Sequence, residues 1–124
     1  MPKELPMPQW TYICDAADLP PGAVLRVRIA DGWYAACNRG GTFHVVDNRC
    51  PHADGSLARG RVEGNCLICP VHGWPWDLRT GLTDPSLPHM RLRFFRCEAR
   101  DGRLYADVTQ PILPEDVTLP GFAP

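Results

Sequence analysis

The sequence predicts an all-β protein: an antiparallel β-sandwich or small barrel of short strands, with a smaller loop-rich segment inserted. Three observations lead there. Apolar and polar residues alternate with a period of two in several short runs. Turn signals recur about every ten residues. No window carries a helical period, and 14 prolines argue against long helices.

Taken in order, "VLRVRIA" sets Leu25, Val27 and Ile29 on one side and Arg26 and Arg28 on the other, the pattern of a half-buried strand. Asp31-Gly32 is a hairpin signal before "WYAAC". Arg39-Gly40-Gly41 turns the chain into "TFHVVD", and Asp101-Gly102 joins "LRFFRCEA" to "RLYADV". The alternation slips at Phe94-Phe95, which marks a bulge. The arginines of "RLRFFR" alternate with apolar residues, as on a strand with one solvated face. From Asn48 to Pro88 the alternation gives way to recurring Gly and Pro, and a segment so poor in apolar residues needs something to hold it. The chain of 124 residues reads as one domain, with an inserted subdomain at about 48–88 and proline-rich ends at about 1–9 and 110–124 that drape over the surface or remain mobile.

Composition excludes several classes. The net charge is −1 and the basic residues are scattered, which speaks against nucleic acid. No apolar run is long enough to span a membrane, and the first residues lack the pattern of a signal peptide. A reducing compartment, the cytoplasm, is therefore expected, where six cysteines point to metal binding or burial rather than disulfides. Cys14, Cys37 and Cys97 sit in strand-like runs and read as small buried side chains. "CLIC" has the spacing of a redox pair, but Pro70 follows it and no βαβ unit surrounds it, so Cys66 reads as structural.

Two motifs stand out inside the loop-rich segment. "CPHADG" places Cys50 and His52 two apart, and "CPVHGW" places Cys69 and His72 three apart. A zinc finger usually pairs like ligands on a knuckle. Here each knuckle offers one sulfur and one nitrogen in the same order. That suits two metal ions side by side, one holding both thiolates and one both imidazoles. A structural zinc site is the competing reading.

The chain resembles the Rieske iron–sulfur proteins from about Trp10 to Val108. The resemblance rests on "CPH" at 50–52, "CPVHGW" at 69–74, "DLRTG" at 77–81 and the "DPSLP" stretch, Asp84 to Pro88, which looks like the family's cluster-shielding proline loop. It implies the Rieske fold and one [2Fe-2S] cluster. Cys50 and Cys69 would ligate the inner iron, and His52 and His72 the outer iron near the surface. Pro51 and Pro70 would stiffen the loops, and Gly55 and Gly73 would let backbone N–H groups approach the sulfides. High-potential members join an extra cysteine pair as a disulfide, at positions that are Gly55 and Val71 here, and place a serine where this chain has Trp74. With fewer hydrogen bonds to sulfur, the resemblance implies a low potential, about −150 mV.

A Rieske centre alone transfers electrons. His44 and His89 are too few and too scattered for the mononuclear iron of an oxygenase, and Ala53 stands where oxygenases commonly carry arginine. The resemblance therefore implies an electron-transfer component with no catalytic site of its own. It would be a stand-alone ferredoxin taking electrons from a flavin-dependent reductase to a terminal oxygenase. The small subunit of an assimilatory nitrite reductase is the alternative, and a module with a purely structural metal is a third. Arg49, Asp54, Arg59, Arg61 and Glu63 are mixed in sign and give no clear steering field.

Overall fold

Tight hairpins order the larger of two sheets. A computed structural model describes residues 8–52 and 55–114. Its strands are β1 (Thr11–Asp15), β2 (Val24–Ile29), β3 (Gly32–Arg39), β4 (Thr42–Asp47), β5 (Arg61–Glu63), β6 (Cys66–Ile68), β7 (Pro75–Asp77), β8 (Phe94–Arg100) and β9 (Arg103–Ile112). The only helical turns among the described residues are short 3-10 segments at Ala16–Asp18 and Leu57–Arg59. A six-stranded antiparallel sheet runs in the order β1-β9-β8-β4-β3-β2, and a three-stranded sheet in the order β5-β6-β7.

At the β8–β9 turn Asp101 and Gly102 have φ of 51° and 77°, the left-handed pair that a two-residue hairpin requires. Gly40 and Gly41 make the same kind of connection between β3 and β4. The first hairpin differs from the sequence expectation by one residue. Gly32 already pairs with Ile29, so the turn is Ala30-Asp31, with Ala30 at φ 53°. Packing sets this register: it turns the Tyr34 ring edge-on to Phe95, with centroids 5.3 Å apart.

The large sheet is covered on both faces. Cys14 of β1 and Val27 and Ile29 of β2 enter one core although these strands stand at opposite edges, so the sheet wraps around it. Ala36, Val45, Phe95 and Leu104 complete this inner core. Alternate neighbours Ala35, Cys37, Val46 and Phe94 point the other way. They meet Leu57, Leu67, Trp76 and Leu78 from the 48–88 segment, which thus has its own apolar contribution. Each fully buried Leu or Phe adds about 1.5–3 kcal/mol.

This two-sided burial accounts for the slip at Phe94-Phe95, since both rings are buried, one in each core. The pairing does shift there, but the extra residues lie on β9: Phe95 pairs with Pro111 and Arg96 with Asp107. After that irregularity β9 runs on to Ile112, opposite Phe94. Gln110–Ile112 is therefore strand, not a draped end; residues 1–7 and 115–124 of the expected ends lie outside the described residues. Cys14, Cys37 and Cys97 are buried as expected. Burial pushes the Cys37 and Cys97 thiols up to about 12, so they stay protonated at neutral pH.

Candidate metal centre

Two loops bring the Cys/His knuckles together. The first leaves β4 and ends in the Leu57–Arg59 turn; the second joins β6 to β7. Each is closed by the same backbone bond. The Cys50 amide donates to the Gly55 carbonyl at 2.9 Å, and the Cys69 amide donates to the Trp74 carbonyl at 2.9 Å. Both bonds reach five residues ahead from the cysteine itself. The Asn48 side chain braces the first loop: its Nδ2 donates to Ser56 Oγ at 3.0 Å and its Oδ1 accepts from the Ala58 amide at 2.8 Å.

Cys50 and Cys69 are both buried, and each thiol feels the other. Burial raises the Cys69 pKa, and Cys50 adds to the rise; amide bonds from Val71 and His72 pull the other way. Those amides would stabilise negative charge on this sulfur. Gly73 behaves otherwise than expected. Its N–H donates to the Cys69 carbonyl at 2.9 Å and so tightens the loop instead of facing sulfur.

The two imidazoles are less buried than the thiols, and their ring centroids lie 5.1 Å apart. They are not equivalent. His72 is exposed, whereas His52 is half-buried under Trp74, whose ring stacks on it at 3.5 Å and 13°. His52 Nδ1 is buried without a hydrogen-bond partner. A buried nitrogen left unpaired is costly, and a metal ion would satisfy it. Among the described residues no three His, Cys, Asp or Glu side chains gather as ligands of a single ion. The donors fall into a buried sulfur pair and a more exposed nitrogen pair, which fits a [2Fe-2S] cluster with mixed ligands.

The other candidates fall elsewhere. Cys66 is half-buried on β6, opposite Asp77. His44 is buried in the large sheet, where Arg39 Nε donates to its Nε2 at 3.1 Å, and His89 is exposed. Trp76 is wholly buried, as a core aromatic. Asp84 organises the "DPSLP" turn by accepting from the Ser86 amide and hydroxyl, each at 2.9 Å. Asp54 lies outside the described residues, and Arg61 is paired with Glu63 at 2.7 Å. The Trp74–His52 stack and the Asn48 brace are the features that sequence reasoning missed. An aromatic directly after "HG" was the one available signal for the stack.

Gly55 and Val71 face each other across the two loops. A Cβ on Gly55 would overlap Val71 Cγ2 and stand 3.5 Å from Val71 Cβ. Disulfides span about 3.5–4.5 Å between Cβ atoms. The double variant Gly55→Cys, Val71→Cys is therefore expected to cross-link the loops on air oxidation. Thiol titration should show two fewer free thiols than the reduced form, with iron retained. Two thiols that stay free would place the loops farther apart than this.

Comparison with known proteins agrees with this centre. The Rieske [2Fe-2S] domain matches residues 9–96. Ferredoxin CarAc of Metapseudomonas resinovorans is 31% identical over 97 residues, 77% of this chain and 91% of that protein. The methanesulfonate monooxygenase ferredoxin subunit of Methylosulfonomonas methylovora is also 31% identical, over 83% of this chain and 84% of the relative. Among solved structures, the complex of reduced oxygenase and oxidized ferredoxin in carbazole 1,9a-dioxygenase contains a chain with TM-score 0.70 and 30% identity, covering 79% of this chain and 92% of that one. With the match spanning both loops and the small sheet, this chain belongs to the Rieske [2Fe-2S] domain family.

Proposed function

We propose that Cys50 and Cys69 hold the inner iron, and His52 and His72 the outer iron, of one [2Fe-2S] cluster. On this reading the chain is a one-electron carrier, a ferredoxin that takes electrons from a flavin-dependent reductase to a terminal oxygenase in the cytoplasm. The observation that carries the reading is the donor set on the two loops: a buried thiol pair and a more exposed imidazole pair, with one imidazole exposed and the other keeping an unpartnered buried Nδ1. The ferredoxin relatives support it, since the match runs along most of their length.

When bound, the cluster supplies a centre that gains and loses one electron. The chain does the rest. Val71 and His72 aim their amides at the Cys69 sulfur and favour added negative charge there. Trp74 covers His52 and keeps water from that side. His72, exposed beside the half-exposed Val71, marks the edge where a partner can come close. Such electron-transfer contacts are small and short-lived. Trp74, without a hydroxyl to offer sulfur, keeps the potential low in the family range, at about −150 mV.

The test is an EPR spectrum of the purified protein after dithionite reduction. A rhombic signal with average g below that of all-thiolate two-iron clusters is expected. A silent spectrum with zinc bound would sink the reading. Two variants refine it. Cys66→Ser should keep its iron, because Cys66 sits on β6 opposite Asp77 and outside both Cys/His knuckles. His72→Cys, if it keeps the cluster, should have a lower potential, because a thiolate adds negative charge at the outer iron. An unchanged or higher potential would contradict the charge argument.

A further inference from the structure

Beside the first loop lies a patch that this mechanism does not use. Trp33 is 44% exposed, and Arg26 and Arg28 lay their guanidinium groups over its ring, 4.3 and 5.1 Å from the centroid. Both arginines are exposed, and neither meets a carboxylate among the described residues. Register puts the three side chains on one face. Arg28 pairs with Trp33 and Arg26 with Ala35, and Ala35 belongs to the core on which the 48–88 segment packs. The patch therefore continues the face that bears the metal-binding loops.

The connection to the metal centre is short. The Asn48 amide, two residues before Cys50, donates to the Trp33 carbonyl at 3.2 Å. A groove of about 470 Å³ between them is lined by Trp33, Asp47, Asn48, Arg49, Ser56 and Arg93. The Asp47 carboxylate is occupied by Arg93 at 2.6 Å. Arg26, Arg28 and Arg93 thus outweigh Asp47 and the Asp31 of the adjoining turn, and this part of the surface is positive.

We propose that this patch docks an acidic segment of the redox partner protein. Trp33 is the apolar anchor, and the partner's carboxylates lie against the Arg26 guanidinium and the terminal N–H groups of Arg28, whose Nε donates to the Ala30 carbonyl at 3.4 Å. A guanidinium stacked on an aromatic ring is already ordered, and its N–H edges still offer a bidentate site for carboxylate. Trp and Arg are the side chains that dominate binding at protein interfaces. Opposite charges near the electron exit raise the rate of productive encounter.

The inference rests on the electron-carrier reading, and one experiment separates the two. The reduced holoprotein is mixed with oxidised cytochrome b5, an acidic haem protein, at low ionic strength in a stopped-flow instrument. The variants are R26E/R28E, W33A and R100E/R103E, each with its midpoint potential checked against wild type. Arg100 and Arg103 flank the Asp101-Gly102 turn, at the opposite end of the sheet from Asp47, and give a charge-matched control. R26E/R28E should slow the bimolecular rate about tenfold and R100E/R103E less than about twofold. W33A should slow it with its salt dependence unchanged. Equal slowing by the two charge reversals, or none by R26E/R28E, overturns the docking site while electron transfer stands. A wild type that reduces no haem protein overturns the carrier reading, and the docking site with it.

Discussion

Replacing Gly60 with alanine is expected to open the small sheet and leave the protein without iron. Gly60 follows the Leu57–Arg59 turn, and its amide donates to the Leu57 carbonyl at 3.0 Å. A Cβ at this position would fall on the Ile68 carbonyl oxygen, 3.0 Å from the Ile68 carbonyl carbon and 3.2 Å from the Leu57 oxygen. These atoms are backbone, so no flexible side chain can give way. The next residue, Arg61, pairs with Ile68, and Ile68 precedes Cys69. Any relief of the clash therefore moves a thiol of the metal centre. Forced backbone shifts in a packed site cost about 1–3 kcal/mol, occasionally more, and this one lies at the upper end. Urea unfolding and iron per chain are the measurements. Gly64→Ala is the control: its Cβ would meet nothing within 4 Å, so only the left-handed backbone penalty of about 1–2 kcal/mol applies. A Gly60→Ala protein with wild-type iron and a smaller loss than the control would show that the close approach does not exist.

The second expected result is a loss of stability between pH 6.5 and 4 traced to His44. Its ring is buried, with Phe94 edge-on at 5.8 Å and the Arg39 guanidinium donating to Nε2. Burial, then the Arg39 charge, lowers its pKa from 6.5 to about 4. The folded-state value is depressed, so the fold favours the neutral ring. That stability is fully present above the unfolded-state pKa and is lost as pH falls toward the folded-state value. A shift of this size corresponds to about 3 kcal/mol. The lowered carboxylates Asp77, Asp84 and Asp107 act in the same direction but only below the ordinary Asp range, so the upper part of the window belongs to His44. Unfolding free energies at pH 7, 5.5 and 4.5 for wild type and His44→Phe provide the test. The variant should be less stable at pH 7, because Arg39 loses its acceptor, and its pH slope above 4.5 should be the shallower. Parallel slopes would show that His44 is not the titrating group.

What could be read from the residues was mostly local. The hairpin at Asp101-Gly102 and the alternation of β2 are short-range patterns, and they were legible. The Cys-x-His and Cys-x2-His knuckles were legible because ligand chemistry restricts both residue type and spacing. The turn before Trp33 was misplaced by one residue because packing of Tyr34 on Phe95, far away in sequence, sets that register. Phe94-Phe95 broke the alternation for a tertiary reason: a sheet covered on both faces has no solvent side to mark. His44 was set aside only as a ligand of a mononuclear iron, since nothing near it in the chain announces burial beside Arg39. Gly60 was one glycine among several until Ile68 was seen against it.

The two matching amide bonds, Cys50 to Gly55 and Cys69 to Trp74, have a kinetic consequence. Each thiol hangs from a peptide group that is itself clamped to the far side of its own loop. When the charge between the loops changes by one, the sulfur atoms have little freedom to follow it. Transfer of an electron is slowed by whatever nuclear rearrangement must accompany it. If Cys50 and Cys69 hold the cluster as proposed, a centre suspended from these backbone clamps is expected to have a small reorganisation energy, so that a modest driving force suffices to move charge quickly in either direction.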